Sequence, residues 1–286
     1  MARRSFRKAE PIHAMIYFTP HGPACYAQAG ITHQRMAYFA SRAAAMGAVP
    51  AETVIATFFN FNPELVRRAI PAAWQITTPA QVLAARLEAV DRSLRQAWGA
   101  EVESPAVREA ADLARRAAEH ATSRPEGRPL FASHAALPWP EHPHLVLWHA
   151  QTLLREYRGD GHVALLTEGL DGLGALITHA ATGSISAEAL RTSRAWSEED
   201  WAAGEDRVRA HGWLEPGPLL ALSEHGTRRR RSIEDRTDEL AVFPYEAIGA
   251  DGCTRLAELT APLSTAIAAA DLGFPAALAT RYTDSR

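Results

Sequence analysis

The sequence predicts a mainly α protein: a multi-helix N-terminal and central block, then a winged helix-turn-helix with a short β-hairpin wing. Three observations predict it. Apolar residues recur at helical spacing from Thr32 onwards. Asn62-Pro63, Thr78-Pro79 and Ser104-Pro105 each set a capping side chain before a proline, which satisfies an orphan amide and places the ring where no donor is needed. Between Ser184 and Leu240 the order is helix, helix, two strand-like pieces around Pro216-Gly217-Pro218, and helix, the order of a winged helix.

Taken in order, Pro11 to Phe18 is apolar and β-branched or aromatic enough for a short strand, stopped by His21-Gly22-Pro23. Met36, Phe39, Ala40 and Ala43 mark a helix before Gly47, and Pro50 to Phe59 reads as another with proline in its first turn. Thr78 opens a long amphipathic helix to Trp98, striped by Val82, Leu83, Leu87, Val90 and Leu94. The helix from Ser104 to about Ala121 is mostly alanine and charge, which suits a surface position. A loop rich in Arg, Pro and Gly, Ser123 to Pro129, is the best internal boundary. Pro143 then opens a helix that ends in Arg158-Gly159-Asp160-Gly161-His162, and Asp171 to Thr182 forms the next, ended by Gly183.

Helices Ser186 to Thr192 and Ser197 to Ala210 meet through Arg194-Ala195-Trp196. His211 to Leu222 is the expected wing, a helix follows Ser223 to about Leu240, and Asp251 caps the last helix. The expected division is 1–122, 130–182, 183–243 and 244–286. Gly47 to Val54 and Gly183 to Leu190 share their spacing, so the first block is either a second, degenerate helix-turn-helix or a chance likeness between two capped helices.

Composition narrows the chemistry. At 286 residues and 47% hydrophobic the chain buries a substantial core, so wholesale disorder is excluded. A net charge of -3 provides no global field toward DNA or an anionic membrane. Cys25 and Cys253 form neither a disulfide framework nor a CxxC metal site, which fits a reducing cytoplasm. The basic start reads as frayed, and no apolar run suits a signal peptide or a bilayer span. Lys8 is the only lysine, so Schiff-base and P-loop chemistry have no lysine in the body of the chain. There is no nucleophile elbow or GxGxxG, and covalent catalysis has no support.

The run from Arg207 to Gly217, with Leu220 to Gly226 after it, resembles the recognition-helix end and wing of MarR-type regulators. Over most of its length the chain also resembles an actinobacterial helix-turn-helix family. The segments Tyr38 to Arg42, Thr57 to Phe61, Leu137 to Pro140, Trp148 to His162 and Ala195 to Trp201 carry that resemblance. It implies the fold; the family's name describes an architecture and not an activity. The block Arg228 to Arg231 departs from the family's usual run.

Two kinds of site follow. A helix-turn-helix reads DNA with the first turn of its second helix, and here that turn is Ser197-Glu198-Glu199-Asp200, which repels phosphate. Arg228, Arg229, Arg230 and Arg231 are the nucleic-acid candidates, against the plainer reading of a solvated face paired with Glu224, Glu234 and Asp235.

The other site is a ligand pocket around the helix from Pro143. Val146, Leu147, Ala150, Leu153, Leu154 and Tyr157 form its core stripe, while Trp148, Thr152 and Arg155 lie opposite, as on a helix buried on both sides or bordering a cavity. Arg155 and Trp148 are ligand-binding candidates, with Arg42, Tyr38 and Asn60 across from them. His149 and His162 are candidate proton carriers and Asp160 either orients His162 or caps the next helix; the plainer reading of both histidines is structural. No cofactor is expected. His142, His144, His149 and His162 raise haem or metal only as a lesser option, because no pair has i, i+4 spacing.

The expected function is a small-molecule-binding protein or a cofactor-free acid/base enzyme acting on a small aromatic or anionic ligand, in bacterial specialised metabolism or resistance. The alternative is a ligand-responsive MarR-like DNA-binding transcriptional regulator. The expected partner is a small organic molecule; DNA is disfavoured, no membrane is expected, and a homodimer stays open.

Overall fold

The computed structural model describes residues 2–274, which form sixteen α-helices joined by 3-10 turns and loops. In chain order the first ten are α1 (Ala2–Ala14), α2 (His21–Gln28), α3 (Gln34–Ala43), α4 (Ala51–Phe58), α5 (Pro63–Ala69), α6 (Ala72–Ile76), α7 (Pro79–Trp98), α8 (Pro105–Ala121), α9 (Pro129–Ala135) and α10 (Pro143–Gly159). The rest are α11 (Val163–Thr167), α12 (Gly172–Ala180), α13 (Ala187–Ser193), α14 (Glu198–Ala210), α15 (Glu224–Leu240) and α16 (Gly249–Ala269). The three proline-led starts form as their sequences demand. Asn62, Thr78 and Ser104 each accept an amide of the first turn through the side chain, and Gln81 completes a capping box with Thr78.

The chain divides into two compact units. The larger takes residues 1–48, 72–160 and 240–286, and the smaller takes 49–71 and 161–239.

In the larger unit α10 is the central rod. It is buried at thirteen of its seventeen positions, which identifies a helix enclosed all round rather than an amphipathic surface helix, and it packs on α8, α1, α9 and α7. The expectation of a helix buried on both sides is met. The expectation that α8 lies on the surface is met on its charged face, where Arg108, Glu109, Asp112, Arg116 and Glu119 are exposed, while its alanine face, Ala110, Ala111, Ala114, Ala117, Ala118 and Ala121, is buried. Alanine scores weakly as a core residue, yet its small side chain lets two helices approach closely, and here it seats α10. The start of the chain is helical from Ala2 rather than frayed, and Pro11 to Phe18 forms the end of α1 and a 3-10 turn instead of a strand. Glu10 to Ile16 are buried and α1 packs along α16 and α10, so tertiary packing overrides a weak β preference.

In the smaller unit α12 packs on α13 and α14 over a core that includes Leu173, Ile177, Leu190, Trp201, Val208 and Trp213. Gly172 is required there by close approach, since a Cβ would lie 2.0 Å from the Phe59 carbonyl oxygen. The β-hairpin wing does not form. Among the described residues β pairing is limited to one isolated bridge, Leu214 with Leu222, and the stretch is a loop closed by Glu215 N–H to Ala221 O and Ser223 N–H to Trp213 O, both 3.0 Å. Pro216 and Pro218 remove two amide donors from a very short segment, leaving too few for a ladder. The smaller unit is therefore helical throughout, without a wing, among the described residues. No helix among the described residues is long and apolar enough to cross a membrane.

Candidate functional site

The larger unit contains an internal polar cluster assembled on one face of α10. Trp148, Gln151, Thr152 and Arg155 follow one another at i, i+3, i+4 and i+7, and such residues share a face. The first three are no more than 5% exposed.

Opposite stand α1 and the turn after it. His13 is fully buried, with its ring parallel to Trp148 at 6.2 Å between centroids. The Thr152 hydroxyl donates to Trp148 O at 3.0 Å, so it must accept from His13 Nδ1 at 2.9 Å. That assigns the proton to Nδ1 and leaves Nε2 to accept from the Tyr17 hydroxyl, also at 2.9 Å. Tyr17 lies 5.6 Å from Tyr38, whose hydroxyl accepts from Arg42 Nη1 at 3.0 Å. Arg155 lies against the Tyr17 ring and donates to Glu10 at 2.9 Å and to Glu156 at 3.3 Å.

α7 supplies Arg86, 2% exposed, whose guanidinium lies 5.3 Å from the Trp148 ring centroid and whose Nη1 donates to Ser41 O at 2.7 Å. Nε and Nη2 of Arg86 have no protein partner, and neither do Trp148 Nε1, Gln151 Nε2 and His149 Nε2, all buried. Buried polar atoms are ordinarily satisfied, so a concentration of orphans is unusual.

The electrostatics are one-sided. Burial first, then the charges of Arg155, Arg86 and Arg42, hold His13 well below the ordinary imidazole range. His134 on α9 is lowered in the same way by burial, Arg86, His149 and Arg42. His149, edge-on to Trp139 at 4.8 Å, is lowered to about 4 by burial, Arg86 and Arg115. Three neutral imidazoles thus stand among guanidinium groups that stay charged. Burial raises the Glu10 carboxyl, opposed by Arg155. The arrangement offers donors and permanent positive charge, and it contains no activated nucleophile: burial raises both thiols, Cys25 and Cys253.

Of the residues singled out from sequence, Arg42, Tyr38, Trp148, His149 and Arg155 belong to this cluster. Asp160 is in the same unit, but its Oδ2 accepts the Phe131 amide at 3.0 Å and so caps α9, which has no side-chain cap of its own. Asn60 and His162 belong to the smaller unit. There the Asn60 carbonyl accepts from Trp196 Nε1 at 3.0 Å and the His162 ring stacks on Phe59 at 5.0 Å.

Arg86, His134 and Gln151 were missed. Arg86 had a signal, since it falls midway between Val82 and Val90 on the buried row of α7, where an arginine is out of place. No group of three or more His, Cys, Asp or Glu among the described residues lies close enough to hold a metal ion.

In the smaller unit the turn Arg194 to Ser197 joins α13 to α14, and Ser197 caps α14 by accepting from Asp200 N–H. Ala195 takes a positive φ of 57° in that turn. Glu198, Glu199 and Asp200 are all exposed. Arg228 pairs with Glu224, Arg230 lies 3.5 Å from Glu234, and Arg229 bonds Glu168 at 2.9 Å while lying over Trp213 at 4.2 Å. Arg231 is exposed. The unit carries sixteen Asp and Glu against eleven Arg, so its net field repels a polyanion.

A family model described as a helix-turn-helix family matches residues 2–274. No curated protein and no solved structure matches the chain.

Proposed function

The chain belongs to this helix-turn-helix family, and on that premise we propose that it is a DNA-binding transcriptional regulator responsive to a small organic molecule. The observation that carries the reading is the match over nearly the whole chain; the two helices α13 and α14, joined by a short turn, are the pair we assign to the DNA-reading motif. Because α14 begins with three carboxylates, contact with DNA must come from arginines elsewhere in the unit. Arg207 and Arg228 are held only in exposed pairs with Asp171 and Glu224. Such pairs are worth about 0–1 kcal/mol, so either guanidinium exchanges its carboxylate for a phosphate at little cost. With Arg231 they make three phosphate contacts, for which the logarithm of affinity falls with the logarithm of salt at a slope of about -3. The test is selection from a random duplex pool with the full chain, followed by mobility shifts across salt. A shallow slope, reduced by about one in Arg231→Ala, supports the reading. Absence of any retained duplex at low salt removes it.

A second reading, a small-molecule-binding protein or cofactor-free acid/base enzyme without a DNA role, is favoured by the acidic first turn of α14 and the negative balance of the smaller unit. In it His149, neutral at pH 7, is the proton carrier, and specialised metabolism or resistance is the setting. Native mass spectrometry of the purified protein, by finding or failing to find a retained small molecule, decides whether this reading stands.

A further inference from the structure

We propose that the larger unit holds a small organic carboxylate on the side edge of Arg86. The inference rests on the small-molecule half of the reading above and not on its DNA half, so it survives if no duplex binds.

The unsatisfied groups of the cluster are nearly all of one kind. Arg86 uses Nη1 on Ser41 O, and the two nitrogens left over, Nε and Nη2, are those of the guanidinium's side-on fork. That pair of parallel N–H bonds matches the two oxygens of a carboxylate. Trp148 Nε1 and Gln151 Nε2 are donors too, one turn apart on α10, and the indole lies under the same guanidinium. His149 Nε2 becomes a further donor in the tautomer protonated there. A region whose orphans are nearly all N–H groups lacks acceptors.

No protein group supplies them. Both carboxylates of the cluster, Glu10 and Glu156, pair with Arg155, and no carboxylate of the described residues forms an ion pair with Arg86. A permanently charged group 2% exposed and without a counter-ion is costly, and an anion relieves both the charge and the missing hydrogen bonds. The fork selects a carboxylate over a bare halide, because its two parallel N–H groups need two oxygens set apart. The α8–α16 surface groove offers no comparable site, because Arg255 there is already bidentate on Glu109 with both contacts at 2.7 Å.

The experiment is thermal unfolding of the full chain, with titration calorimetry, against acetate, benzoate and chloride at constant ionic strength. The wild type is expected to gain melting temperature with acetate or benzoate and not with chloride. Arg86→Lys keeps the charge but loses the fork, and carboxylate affinity is expected to fall at least tenfold; Trp148→Phe keeps the ring and loses one donor, for a smaller loss. If Arg86→Lys does not fold, Trp148→Phe and Gln151→Leu carry the comparison. No carboxylate-specific shift in the wild type, together with a native mass equal to the polypeptide alone, overturns the proposal, as does an unchanged shift in the variants that fold.

Discussion

Replacing Asp160 by asparagine is expected to stabilise the protein at neutral pH and to do little in acid. Asp160 is 3% exposed, and burial lifts its carboxyl from 3.8 to about 6, with Glu156 adding to the rise and the amides of Phe131 and Leu130 opposing it. Because the folded-state value lies above the unfolded one, the folded state prefers the neutral acid. Stability from this group is therefore intact below about pH 4 and is lost as pH rises through about 6. At pH 7 the deficit is about 3 kcal/mol. Asparagine cannot ionise and keeps an oxygen for the Phe131 amide, as the neutral acid does. Asp160→Asn should thus be more stable than the wild type by about 2–3 kcal/mol at pH 7 and within about 0.5 kcal/mol of it at pH 4. Urea unfolding at the two pH values, read by tryptophan fluorescence, makes the comparison. A variant destabilised equally at both would refute the reasoning and show that Asp160 caps α9 as a carboxylate.

Other substitutions test the packing and the hydrogen-bond assignments. Gly172→Ala drives a methyl to 2.0 Å from the Phe59 carbonyl, and a loss of at least about 1–3 kcal/mol is expected in the denaturation of the smaller unit. Ser104→Ala removes the cap on the Val107 amide and should cost about 1 kcal/mol by the same measurement. Tyr17→Phe leaves His13 Nε2 without its donor in a buried site, for a loss of about 1–3 kcal/mol; an unchanged stability would show that the imidazole tautomer has been misassigned. Arg228→Ala breaks only an exposed pair, and its stability should stay within about 0.5 kcal/mol of the wild type.

Local signals in the sequence determined the helices. A capping side chain followed by proline acts within one turn, so the starts at Pro63, Pro79 and Pro105 needed no tertiary information. The two capped helices between Ala187 and Ala210, the second with an acidic first turn, were legible for the same reason, and so was the burial of α10 on both faces. The tertiary structure alone decided what those elements do to one another. It buried the alanine face of α8, made a helix of Pro11 to Ala14, and left Pro216 to Leu222 as a loop because too few donors remained to pair. It also placed Arg86, His13, Ser41 and Trp148 together, although up to 135 positions of sequence separate them. Spacing along a chain reports which residues share a face, whereas charge balance and unmet hydrogen bonds depend on what that face meets.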